Sequence, residues 1–64
     1  MMPTLRQIKR LSHLLMDLHM QHISPGTVCF VEKNNKPLVI IESQLSIKKL
    51  VYYISWKGEL SEES

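Results

Sequence analysis

The chain has 64 residues with eight Lys and Arg against six Asp and Glu, a formal charge of +2. That length allows one domain, taken here as residues 1–64, and buries only about 60% of the surface the unfolded chain exposes. Cys29 is the single cysteine, so no disulfide closes within the chain, and a lone thiol suits a reducing compartment better than a secreted one.

The first stretch, from Thr4 to about Gln21, reads as an amphipathic helix. Thr4 is a good N-cap, and Gln7 stands three residues on, the spacing of a capping box. Ile8, Leu11, Leu15 and Leu18 repeat at helical intervals, and Leu5, Leu14, Met16 and Met20 widen the stripe. The other face carries Arg6, Lys9, Arg10, His13 and Asp17. Polar residues interrupt the apolar ones too often for a secretory leader. Nothing in the chain is apolar enough to span a bilayer, and the expected location is cytoplasmic.

Ser24-Pro25-Gly26 is expected to end the helix and turn the chain. A hairpin should follow, with strands at approximately 27–32 and 37–42 around Lys33-Asn34-Asn35-Lys36, where Asn accepts a left-handed backbone. Leu38-Val39-Ile40-Ile41 is apolar at every position, whereas a strand covered on one side should alternate. A second surface is therefore expected against it, and Val39 and Ile41 are the residues assigned to that outer side. Residues 43–49 read as a loop or the ragged start of the next strand. Residues 50–57 are dense in strand formers, with Leu50, Tyr52, Ile54 and Trp56 on one face and Val51, Tyr53 and Lys57 on the other. A helix there, giving an α-β-β-α order, is the alternative, since Ile47, Leu50, Val51 and Ile54 also fit a helical stripe. Residues 59–64 read as an acidic, frayed tail.

Motifs of chemistry are sparse. Gly26 and Gly58 are the only glycines, so no phosphate-binding loop exists. Carboxylates fall on different elements. His19, His22 and Cys29 match no established zinc spacing, and histidines near a helix end complement its dipole. Cys29, between Val28 and Phe30, reads as a small buried hydrophobe. No catalytic residue, metal ligand or cofactor is assigned, and the chain is read as non-enzymatic. Tyr53-Ile54-Ser55-Trp56-Lys57-Gly58 resembles the Tyr-x-x-x-Trp-Lys-Gly stretch of chromodomains, and Phe30–Lys33 is similar to that family's first strand. The resemblance implies a Trp that helps cage methylated lysine. The sequence departs from the pattern at Glu59, where the family has an aromatic, and the long N-terminal helix is out of place. Neither fold nor function is taken from it.

The expected fold is α+β, one N-terminal helix on an antiparallel meander of two to three strands. The expected role is a small protein–protein interaction or regulatory module acting as a homodimer or higher oligomer, meeting its partner through Val39, Ile41, Val51 and Tyr53. The rival is nucleic-acid binding through Arg6, Lys9, Arg10 and Lys57, aided by the aromatics of the third strand.

Overall fold

The computed structural model describes residues 2–63. It consists of α1 (Leu5–Met20), β1 (Ser24–Lys33), β2 (Lys36–Leu45), β3 (Lys48–Ile54) and β4 (Leu60–Glu62). The four strands form one antiparallel sheet in chain order, with α1 on one face. The expected α+β arrangement holds, with one strand more than the two to three read from the sequence.

Local chemistry explains each boundary. The Thr4 hydroxyl accepts from the Gln7 backbone N–H at 3.1 Å, and Gln7 Oε1 accepts from the Thr4 N–H at 2.8 Å, completing the capping box. The helix ends earlier than Ser24-Pro25-Gly26. His22 takes φ +60°, its N–H donates to His19 O at 3.0 Å, and the Ile23 N–H donates to Leu18 O at 2.9 Å. This is a Schellman closure with histidine where glycine is usual, secured by Ile23 packing in the core with Leu18. The chain thus reverses in two residues, and β1 already begins at Ser24. Pro25 and Gly26 lie inside the strand at a register irregularity between Pro25 and Thr27. A Cβ at Gly26 would stand 2.6 Å from the Glu42 carbonyl oxygen, so β1 and β2 come together there only without a side chain.

Asn34 and Asn35 both have positive φ, giving a two-residue hairpin that pairs Lys33 with Lys36. The expected loop at 43–49 is instead the second hairpin, which closes over Ser46 and Ile47. Strand β3 ends at Ile54, short of Trp56 and Lys57. Those two sit in a turn where the Gly58 N–H donates to Ser55 O at 2.8 Å and the Ser55 N–H donates to Glu59 O at 2.9 Å. Residues 60–62, expected in a frayed tail, pair with β3 as β4.

Cross-strand partners share a face. The face under the helix therefore holds Val39 with Ile54, Ile41 with Tyr52, and Ser43 with Leu50. Together with Leu14, Leu18 and Ile23, the apolar members of these pairs other than Tyr52 form the buried core, and Leu11, Tyr52 and Leu60 pack at its edge. This corrects the assignment of Val39 and Ile41 to an outer surface. They are 1% and 0% exposed and lie beneath α1.

Candidate functional site

Two surfaces stand out once the core is placed. The first is the sheet face opposite α1. The register sets Val31 beside Leu38, Cys29 beside Ile40 beside Tyr53, and Glu42 beside Val51 on that side. Nothing among the described residues covers them. Leu38, Ile40, Val51 and Tyr53 are half-buried only by one another and their neighbours, and Cys29 and Val31 are exposed. Of the four residues assigned to an interface, Val51 and Tyr53 belong to this face, and Val39 and Ile41 do not. Leu38 and Ile40 take their place. Cys29, expected to be buried, is exposed because β1 is an edge strand and its outer side has no cover. At the rim Lys49 Nζ lies 3.4 Å from Glu42 Oε2, the one ion pair among the described residues.

The second surface is built at one end of the sheet, and Gln7 positions it. This residue is fully buried. Its Nε2 donates to Pro37 O at 2.8 Å on β2 and to Ile54 O at 3.2 Å on β3. Thr4 Oγ1 reaches Trp56 O at 3.4 Å. The start of the helix, the β1–β2 hairpin and the turn before β4 are thereby tied to one corner. Gly58, at φ +84°, lies under Arg6, where an added Cβ would stand 3.2 Å from Arg6 Cβ. A shallow groove results, lined by Arg6, Lys9, Arg10, His13, Lys57 and Gly58. The four cations read from the sequence as nucleic-acid contacts are brought together here. Trp56, next to Lys57 in the chain, lines a neighbouring groove with Lys33, Lys36 and Leu38. It is 40% exposed, with Lys36 Nζ 4.0 Å and Lys57 Nζ 5.3 Å from its ring centroid. Its expected place in line with Leu50, Tyr52 and Ile54 is lost because the strand stops two residues before it.

Sequence reasoning names Trp56 among the third-strand aromatics that could stack on bases, and it misses Lys33 and Lys36 as the lysines beside it. The Asn-Asn turn carried the usable signal, since a two-residue loop fixes which lysines flank the hairpin. His19 and His22 line a separate dent with Ser24 and Pro25 that does not include Cys29. No group of three His, Cys, Asp or Glu among the described residues is arranged to hold a metal. No helix among the described residues is long and apolar enough to cross a membrane.

Burial raises the Tyr52 hydroxyl pKa above its ordinary value, and the Glu62 carboxylate across the β3–β4 ladder adds to the shift. This belongs to the covered face and to stability, away from both surfaces.

Comparison with protein-family models, with characterised proteins and with solved structures finds no match. The chromodomain-like stretch Tyr53–Gly58 gains no support from a family match, and it forms the end of β3 and the following turn.

Proposed function

We propose that this protein is a non-enzymatic interaction module that assembles with a second copy of itself through the open face of its sheet. The observation that carries the reading is the continuous apolar surface of Cys29, Val31, Leu38, Ile40, Val51 and Tyr53. An antiparallel sheet with a wet face normally presents polar side chains there, and contiguous apolar patches mark contact sites.

A second copy is the occupant that this face suits. Glu42 and Lys49 put one acid and one base beside the apolar centre, so a two-fold stack lets each carboxylate meet the other copy's ammonium. The strands, ten, ten, seven and three residues long at about 3.3 Å per residue and about 4.8 Å apart, give the sheet a face of about 500 Å². That is below the roughly 800 Å² per partner of a standard interface and in the range of a weak, reversible one. A chain this small also gains from assembly, since its own core is short.

Light scattering on a sizing column tests the reading with the intact chain and Ile40→Glu. The intact protein should run as a dimer at micromolar concentration, and the variant as a folded monomer. A monomeric intact protein throughout that range removes the proposal. A variant that stays dimeric moves the contact elsewhere, for example to the free edge of β1, and equally overturns this face.

A further inference from the structure

We propose that the corner around Trp56 binds single-stranded nucleic acid, with phosphates on the Arg6, Lys9, Arg10 and Lys57 groove and a base stacked on the indole. The corner meets the open sheet face at Leu38, and Ile40→Glu leaves its cations and Trp56 in place, so either proposal can fail alone.

Charge placement at this corner is the first argument. Six of the eight Lys and Arg (Arg6, Lys9, Arg10, Lys33, Lys36 and Lys57) belong to it, leaving Lys48 and Lys49 at the opposite hairpin. None of the six forms an ion pair, since the one pair among the described residues is Lys49 with Glu42. Their arrangement also opposes folding in three separate ways. Lys33 and Lys36 stand directly across the hairpin from each other, a like-charge pair that weakens a ladder. Arg6 and Arg10 are four apart on α1, where like charges repel. The first turn of α1 contains Arg6 and no acid, the wrong sign for the helix dipole. Each of these costs is relieved by an external polyanion.

The indole is the second argument. An aromatic side chain beside a basic groove is the arrangement that holds single strands, because every base offers a face to stack. Trp56 keeps 40% of its surface open, and the lysine ammonium resting on it is 4.0 Å from the ring centroid. That ammonium is free to pivot onto a phosphate as a base takes its place. The bases of a duplex are already stacked on one another, so a duplex can use the groove and not the ring.

Trp56 is the only tryptophan, so its fluorescence reports on the site directly. The test titrates the intact protein with labelled oligothymidine or oligouridine of about 15 nucleotides, near the upper site size of a small single-strand binder. Anisotropy and indole emission are read together. The expected result is binding of both strands with quenched emission, weakened about 50-fold between about 50 and 200 mM salt for four phosphate contacts. Trp56→Leu should bind about tenfold or more weakly and lose no salt dependence. Lys9→Glu with Lys57→Glu should lower both affinity and salt slope, whereas Lys48→Glu, at the far hairpin, should bind as the parent does. Circular dichroism verifies that each variant is folded. Absence of binding at low salt overturns the proposal. So does binding without quenching that Trp56→Leu leaves unchanged, or a duplex of the same length binding equally well, since either outcome reduces the corner to a general polyanion surface.

Discussion

The two faces of this sheet are made from similar residues and have different surroundings. Val39, Ile41, Leu50 and Ile54 lie under α1 and are buried. Leu38, Ile40, Val51 and Tyr53 lie one position away on the same strands and have nothing above them among the described residues. Strand β2 shows why the covered side is the odd-numbered one. The even positions continue from Leu38 and Ile40 into Glu42 and Gln44, which need water, whereas the odd positions continue into Ser43, a small residue that fits beneath a helix. Because strand side chains alternate strictly, that choice at the polar end of β2 carries the whole strand with it. The comparison teaches that an apolar run reveals two apolar faces, while the charged residues beyond it decide which one a single helix covers.

The sharpest way to break this comparison is a matched pair of truncations. Ile41→Ala should cost about 3 kcal/mol or more by removing fully buried methyl groups, enough to unfold much of a chain this small. Ile40→Ala, measured by urea unfolding at dilutions where no dimer forms, should cost less than about 1 kcal/mol. Equal costs would mean the faces are not distinct. The next largest effect is at Gln7. Leucine there keeps the volume but leaves the Pro37 and Ile54 carbonyls and the Thr4 N–H without their partner, for a loss of about 2 kcal/mol in the same assay. Ser43→Ala should act in the opposite direction. The Ser43 hydroxyl is buried on the covered face with no hydrogen-bond partner among the described residues, so its removal should raise stability by about 1 kcal/mol.

The smallest effect is at alkaline pH. The raised Tyr52 pKa means that the folded chain holds that proton more tightly than the unfolded one. Its contribution is therefore fully present below about pH 10, the ordinary tyrosine value, and is lost as pH rises through the folded value. Urea melts of the parent and Tyr52→Phe should keep a constant difference up to about pH 10, and the parent should fall relative to the variant above it. Glu62→Gln should remove only the lesser part of that fall, because burial is the larger cause.

Much of the architecture was legible in the sequence for local reasons. The capping box at Thr4 and Gln7, the Asn34-Asn35 hairpin and the apolar density of β2 and β3 each follow from interactions within a few residues. What escaped depends on contacts distant in the chain. The partners of Gln7 Nε2 are residues 37 and 54, the short β4 exists only because β3 offers it an edge, and Trp56 leaves its strand because the Ser55–Gly58 turn intervenes. Half of the expected interface set, Val51 and Tyr53, lies on the open face, and the other half was placed on the wrong side by parity alone. The basic groove residues were identified singly, and their meeting with Trp56 and Lys36 required the fold.

Cys29 supplies the most direct measurement of whether the open face is covered by a second copy. It is the only thiol and sits in the central row of that face beside Ile40. Its rate of reaction with a thiol reagent should fall as protein concentration rises through the dimerisation range. The rate in Ile40→Glu should stay fast at every concentration. A rate in the intact protein that is independent of concentration, and equal to that of the variant, would contradict assembly through this face.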